Sequence, residues 1–290
     1  MSVFYAYLPL SDCIKQRWRQ ETPLSHALTL SFEHLISTKD NLMSSSHFNI
    51  VRDQMRDYLS NINASYFPRY GTVGAPAELI LTYLKEKESP KFCITSPCSS
   101  SVSSSTDSVL LSTNDYMPTI FFSSLWTKFC STTTDNPPPK TASTQDWIDL
   151  IFKGKEKERS HSSTSHCLNC SPATPCHTSN IYFDHAPPFL TFEIAPHTIP
   201  LHTPSIKLYI KTSPSQPLTE YQFRAVIYHG DYHFTARIID PHNNIYIYDG
   251  QKNEGFPSFE SKLIDYKNFK NFTTLHGRSA HIYIYSHLNN

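Results

Sequence analysis

The chain has 290 residues, with 25 basic and 25 acidic side chains and a hydrophobic fraction of 39%. The balanced charge gives no electrostatic reason to expect nucleic acid or an anionic membrane surface as a partner. No stretch approaches the roughly 20 apolar residues of a membrane span, and the start lacks the basic segment of a signal peptide. We therefore expect a folded intracellular protein, and its seven cysteines suit metal binding or free thiols better than disulfides.

The first ninety residues are predicted to be helical. Apolar residues recur at helical spacing over residues 18–36, and residues 48–59 continue the pattern. A further helix is predicted to start at Ala75-Pro76, because proline suits a first helical turn and Ala77, Ile80, Leu81 and Leu84 follow at i, i+3, i+4 and i+7.

The middle of the chain is rich in Ser, Thr and Pro. Residues 99–105, 131–143 and 153–166 have the composition of flexible loops. Between them, residues 117–122 are predicted to form a strand and residues 145–152 a short helix.

The last third is rich in short β-branched and aromatic runs separated by turn residues. The predicted strands cover residues 189–194, 206–210, 221–228, 233–239, 245–248 and 281–285. Helices first and antiparallel strands afterwards predict an α+β fold.

One segment combines this strand pattern with chemistry. A turn at His229-Gly230-Asp231 is predicted before His233, and a turn at 241–244 leads to a strand that ends at Asp249. His233 and Asp249 would then lie at the same end of adjacent antiparallel strands. A carboxylate in that position can accept a hydrogen bond from the imidazole and orient it as a general base. The alternative is two unrelated polar residues at strand ends, and the other histidines of the segment, His229 and His242, are predicted to be solvated in turns.

The same segment resembles the His box of the ubiquitin-specific proteases. His233-Phe234-Thr235-Ala236 follows a glycine turn, and a later strand ends in Tyr248-Asp249-Gly250. Three further segments are similar to that family in the same order along the chain: Ala77-Glu78 with Leu84, the run Pro187-Pro188-Phe189-Leu190, and the terminal strand 280–285.

The resemblance implies a single papain-like α+β domain over residues 1–290. Its parts would be a helical, thumb-like region (1–90), a fingers-like region with flexible loops (91–186) and an antiparallel, palm-like sheet (187–290). It also implies that His233 is the general base and Asp249 its orienting partner.

The nucleophile of that family lies in an Asn-x-Cys-aromatic box at the start of a helix, and the sequence has no such box. Residues 1–8 resemble the continuation of that helix, so we expect the box upstream of Met1 or lost in an inactive copy. Cys13 is the only cysteine near the start. The neighbouring Asp12 disfavours a reactive thiolate there.

The remaining cysteines suggest a metal site. Cys167 and Cys170 have the Cys-x2-Cys spacing of a zinc knuckle, and Cys93 and Cys98 are the best second pair. Cys176, His166 and His177 are substitutes. The resemblance implies a structural zinc ribbon at this place in the chain, loop thiols without metal are the alternative, and no organic cofactor is expected.

Three functions remain open at this stage. The first is a cysteine-type deubiquitinase or isopeptidase that cleaves the bond to the C-terminal glycine of ubiquitin or a ubiquitin-like protein. The second is an inactive pseudoenzyme that binds the same modifier, and the third is a zinc-stabilised interaction module unrelated to ubiquitin. The first two place His233 and Asp249 within hydrogen-bond distance at a groove, whereas the third expects them to be apart or buried without a cleft. We expect a monomer in the cytoplasm or nucleus.

Overall fold

The computed structural model describes residues 2–21, 23–37, 45–65, 67–69, 92–97, 108–112, 120–121, 141–153, 180–183, 186–194, 201–212, 217–252 and 256–288. The helix predicted from Ala75-Pro76 and most of the Ser/Thr/Pro-rich stretches fall outside these residues. In the part of the chain that is described, no helix combines the length and the apolar character that crossing a bilayer requires.

The N-terminal region is helical, as predicted. Its helices are α1 (Ser2–Tyr7), α2 (Asp12–Glu21), α3 (Pro23–Ser37) and α4 (Ser45–Ile62). The predicted helical segment over residues 18–36 is wrong in one respect, because α2 and α3 share it. Pro23 explains the break, since proline suits the first position of a helix and disfavours the α conformation of the residue before it.

Within the described residues, the strands form one large sheet and two small ones. They are β1 (Phe92–Pro97), β2 (Ser108–Ser112), β3 (Ile120–Phe121), β4 (Thr141–Ser143), β5 (Asn180–Phe183), β6 (Phe189–Glu193), β7 (Leu201–Thr203), β8 (Lys207–Ile210), β9 (Thr219–Gly230), β10 (His233–Ile239), β11 (Asn244–Tyr248), β12 (Ser258–Lys262), β13 (Thr274–Leu275) and β14 (Arg278–His287). The large sheet has the order β12-β11-β10-β9-β14-β6-β3, with β8 on β9 and β13 on β14. Strands β1, β2 and β5 form a second sheet, and β4 with β7 a third.

The large sheet is antiparallel except at one edge. Strand β3 pairs with β6 in parallel, and the small β4–β7 pair is also parallel. The antiparallel sheet predicted for residues 187–290 is confirmed, because its described strand pairs are all antiparallel and each parallel pair includes a strand that precedes residue 187. Parallel pairing requires a long crossover connection, which local strand patterns do not reveal.

Helices cover both faces of the large sheet. Ala6 of α1 is fully buried against Ala225, Ile227, Ile282 and Ile284. Val226 belongs instead to the main core cluster, which also holds Trp147 and Ile148 of α5 (Thr144–Lys153). Successive side chains of a strand point to opposite faces, so α1 and α5 lie on opposite sides of the sheet. The short helix predicted over residues 145–152 is confirmed as α5.

His202 lies in the core at a place where a charge would be costly. Its side chain is buried, its carbonyl accepts a hydrogen bond from Tyr283 Oη at 2.9 Å, and burial lowers the pKa of its imidazole from 6.5 to about 4. The folded protein therefore binds a proton at this residue less readily than the unfolded chain does.

We expect this histidine to destabilise the protein in acid. The contribution of neutral His202 is complete above pH 6.5 and is lost as the pH falls from 6.5 towards 4, because only the unfolded chain gains the proton in that range. The shift corresponds to about 3 kcal/mol over the whole window. Urea unfolding at pH 7.5 and 4.5 should show the wild type losing about 2 kcal/mol more than His202→Phe. Equal losses in the two proteins would contradict this assignment.

Candidate active site at the rim of the sheet

A two-residue hairpin joins β9 to β10 and places His233 at the start of its strand. Gly230 pairs with His233, and the loop residues Asp231 and Tyr232 have φ angles of 53° and 57°. Positive φ at both loop positions is the signature of a type I′ turn, whose twist matches that of the flanking strands. The turn therefore begins two residues later than predicted, because His229 and Gly230 belong to β9.

A second turn returns the chain as β11. The carboxylate of Asp240 accepts hydrogen bonds from the backbone N–H groups of His242 and Asn244, each at 2.8 Å, and Asn243 has a φ of 63°. The predicted turn at residues 241–244 is confirmed. Ala236 then pairs with Tyr248, which places Asp249 beside the beginning of β10.

His233 and Asp249 form a hydrogen-bonded pair, as the strand pattern predicts. His233 Nε2 lies 2.8 Å from Asp249 Oδ1, and the two side chains are 18% and 7% exposed. In the neutral imidazole, the nitrogen that faces a carboxylate carries the proton. Nδ1 then holds a lone pair that can accept a proton from a thiol or a water molecule.

The carboxylate of Asp249 is held in its ionised form by several neighbouring groups. Asp249 Oδ1 also accepts the backbone N–H of Gln251 at 3.1 Å, and Lys252 Nζ lies 4.0 Å from Oδ2. Burial by itself would raise the pKa of Asp249, but the hydrogen bonds from Gln251 and His233 hold it below its ordinary value. An ionised carboxylate in this position orients the ring and stabilises the imidazolium.

The other predicted histidines do not join the pair. His242 is exposed in its turn, as expected. His229 is exposed but lies in β9 and not in a turn, with its ring stacked on Phe234 at 4.3 Å between centroids. Cys13 is exposed in the first turn of α2, and no hydrogen bond joins it to His233.

The predicted zinc ligands cannot be assembled from the residues described. Cys98, Cys167 and Cys170 fall outside the described residues. Cys93 lies in β1, opposite Ser112 and Tyr182, and its side chain is outside the description. Among the side chains that are described, no group of three or more His, Cys, Asp or Glu residues could hold a metal ion. Zinc therefore stays a prediction from the cysteine spacing.

Two residues at this rim were not singled out from the sequence. Tyr232 is fully exposed at the tip of the β9–β10 hairpin, and Arg278 begins β14 after a second two-residue loop, His276-Gly277. For Tyr232, the length of the loop was an available signal. A two-residue hairpin loop of type I′ requires positive φ at both positions, and tyrosine is unfavourable at the second.

Replacing Tyr232 by glycine should stabilise the protein. An aromatic residue in the left-handed region is strained by roughly 1–2 kcal/mol, and the exposed ring loses no packing. The greater conformational entropy of glycine in the unfolded chain offsets part of that gain. Tyr232→Gly should therefore raise the unfolding free energy by about 0.5–1 kcal/mol. Asp231→Gly is the matched control and should gain less, since aspartate tolerates this conformation. A loss of stability in Tyr232→Gly would show that the tyrosine is held by contacts and not strained.

Comparison with known proteins identifies the fold but no family. No protein-family model matches the chain, and no curated protein matches its sequence. Solved structures do match. One is the SAGA DUB module of Ubp8, Sgf11, Sus1 and Sgf73 bound to monoubiquitin, where the match covers 95% of this chain and 66% of that chain, with 10% sequence identity and a TM-score of 0.50.

A second structure is the yeast SAGA DUB module with a mutant Sgf73. It covers 95% of this chain and 66% of that chain, at 11% identity and a TM-score of 0.40. The chain thus spans just under two thirds of the chains it matches. At such low identity, the likeness to the first structure establishes the fold alone, which is α+β.

Proposed function

We propose that this chain is a thiol-isopeptidase-type domain that recognises the C-terminal segment of ubiquitin or a ubiquitin-like protein. The single observation that carries the proposal is the 2.8 Å contact between His233 Nε2 and Asp249 Oδ1 at the rim of the sheet. The fold likeness to a DUB module bound to monoubiquitin supports the choice of ligand. An unrelated zinc-stabilised module was expected to have the two residues apart or buried without a cleft, and the contact argues against the first of these arrangements.

His233 and Asp249 have defined roles in this proposal. Nδ1 of His233 takes the proton of a thiol, and the thiolate attacks the carbonyl carbon of the modifier's C-terminal glycine. The imidazolium then returns the proton to the departing isopeptide nitrogen. Asp249 holds the proton of the neutral imidazole on Nε2, which leaves Nδ1 free to accept one. It also stabilises the imidazolium once that has formed.

Binding without hydrolysis is the second candidate. Cys13 is a cysteine whose side chain the structure describes, and no hydrogen bond joins it to His233. We therefore assign no nucleophile within the described residues. A domain that binds the modifier and leaves its bond intact accounts for the same fold and the same His–Asp pair.

A ubiquitin probe with a thiol-reactive electrophile at its C-terminus tests both candidates. An adduct in the wild type that is lost in His233→Ala and slowed at least about 100-fold in Asp249→Asn would support the isopeptidase. His242→Ala is the matched control, because His242 is exposed in a nearby turn, and it should react like the wild type. Reversible ubiquitin binding without an adduct would support the pseudoenzyme. A protein that forms no adduct and does not bind ubiquitin would contradict the proposal.

The tautomer of His233 can be measured without any nucleophile. Nitrogen-15 NMR should show that the neutral form of the imidazole carries its proton on Nε2 and leaves Nδ1 bare, because Asp249 accepts from Nε2. Asp249→Asn should allow both tautomers to be populated. A wild-type ring protonated on Nδ1 would sink the proposed role of His233 as base.

Zinc enters the proposal as a structural metal. Cys93, Cys98, Cys167 and Cys170 would supply four thiolates to one tetrahedral ion. Native mass spectrometry should find one zinc ion per chain that Cys167→Ser removes. Absence of zinc from protein purified without chelators would favour free loop thiols.

A further inference from the structure

Arg278 lies next to the His–Asp pair because a glycine leaves room for it. Gly230 pairs with His233, so any side chain at position 230 would point to the same face of the sheet as His233. A Cβ atom built on Gly230 would lie 3.1 Å from Cγ of Arg278. The stem of Arg278 therefore occupies the space above Gly230.

The strand order gives this side chain a direction. Strand β9 lies between β14, which carries Arg278, and β10, which carries His233. An Arg278 side chain that crosses Gly230 therefore extends towards the strand of His233. Adjacent strands are about 4.8 Å apart, so the guanidinium group is within reach of a ligand atom held at His233.

The guanidinium of Arg278 has N–H donors that are available to a ligand. Its Nε is buried without a hydrogen-bond partner, and no hydrogen bond or ion pair joins its side chain to another described residue. Arg237 and Arg224, the two other arginines in the described strands of the large sheet, each donate hydrogen bonds to protein acceptors from all three guanidinium nitrogens. Leaving a buried donor of a charged group unsatisfied is costly, which makes an external acceptor at this position favourable.

We propose that Arg278 binds the anionic oxygen atoms on the C-terminal glycine of the modifier. This inference rests on the proposed function, because the ligand is the same C-terminal segment. A guanidinium forms two parallel hydrogen bonds with a carboxylate, which no neutral C-terminal group can accept equally well. Arg278 then determines specificity for the released modifier, because the domain holds the modifier with a free carboxylate more tightly than a form whose C-terminal glycine is a neutral amide, as in the uncleaved isopeptide.

Two forms of ubiquitin provide the test. Calorimetric titration of the full chain with ubiquitin bearing its natural carboxylate, and with ubiquitin bearing a C-terminal amide, should give a Kd at least 10-fold lower for the carboxylate. Arg278→Met should bind both forms with the weaker affinity. Arg278→Lys should keep part of the preference, since it retains the charge and loses the planar fork.

The control and the outcomes separate this inference from the proposed function. Lys267→Met removes one exposed positive charge elsewhere and should keep the full preference. If wild-type protein binds both forms equally, the assignment of Arg278 is overturned while the proposed function stands. If it binds neither form, both are overturned. A full preference that survives in folded Arg278→Met would also overturn the assignment.

Discussion

Replacing Arg237 by methionine should lower the unfolding free energy by about 3–4 kcal/mol. Arg237 is buried and forms a two-pronged ion pair with Glu260, through Nε at 2.8 Å and Nη2 at 2.9 Å. Its Nη1 also donates to the carbonyl oxygens of Asn271 at 2.6 Å and Thr274 at 3.1 Å. The side chain thus ties β10 to β12 and to the segment before β14.

The size of this effect follows from the carboxylate of Glu260, which loses its partner when Arg237 is replaced. Burial would lower the pKa of the Arg237 guanidinium, but the hydrogen bonds to Glu260 and Tyr228 raise it, so the residue stays charged. Removal of the cation leaves the Glu260 carboxylate, only 20% exposed, without its partner. Removing one member of such a pair costs more than removing both.

Arg224→Met is the matched control. Arg224 is equally buried in β9, but its partners are the Ser286 hydroxyl, the Asp240 carbonyl and the Gln222 amide oxygen. Burial lowers the pKa of Arg224 to about 10, and its removal leaves neutral acceptors. We expect a cost of about 1–2 kcal/mol.

Urea unfolding of Arg237→Met, Arg224→Met, Glu260→Leu and the double variant Arg237→Met with Glu260→Leu checks the argument. The double variant should be more stable than Arg237→Met alone. A double variant that is less stable by the sum of the two single effects would show that Arg237 acts through packing and not through the ion pair.

Replacing Trp147 by alanine should cost about 4 kcal/mol. Trp147 is fully buried in α5, and its ring meets Phe192 of β6 edge to face at 6.1 Å between centroids. The alanine variant loses the contact area of the largest side chain in the interface and leaves a cavity that the rigid sheet cannot fill.

Two variants bracket the effect of Trp147. Trp147→Phe should cost about 1–2 kcal/mol, because it keeps an aromatic ring against Phe192. Leu218→Ala removes an apolar side chain that is 59% exposed and should change the unfolding free energy by less than about 0.5 kcal/mol. A cost below about 1 kcal/mol for Trp147→Ala would mean that α5 contributes little to the stability of the sheet.

The His–Asp pair could be predicted because everything that positions it is local. Apolar alternation marks β10 and β11, Asp240 and Asn243 make the turn between them, and antiparallel pairing then brings Asp249 back to His233. Each step involves residues fewer than twenty positions apart. The boundaries of β10 agree with the predicted strand at both ends.

Features that depend on distant segments were missed. The parallel pairing of β3 with β6 joins residues more than seventy positions apart, and no strand pattern contains that information. The partners of Arg237 likewise come from β12 and from the residues around β13, so the sequence could not indicate whether this arginine is exposed or buried.

By itself the sequence determined the α+β class, the helical character of the N-terminal region, and the juxtaposition of His233 with Asp249. These follow from short-range patterns of burial and turn geometry, which act along the chain. The tertiary structure alone decided that α1 and α5 cover opposite faces, that Gly230 leaves space for Arg278, and that Arg237 is paired in the core. Those features arise because strands remote in sequence become neighbours in the sheet, where packing selects which side chains meet.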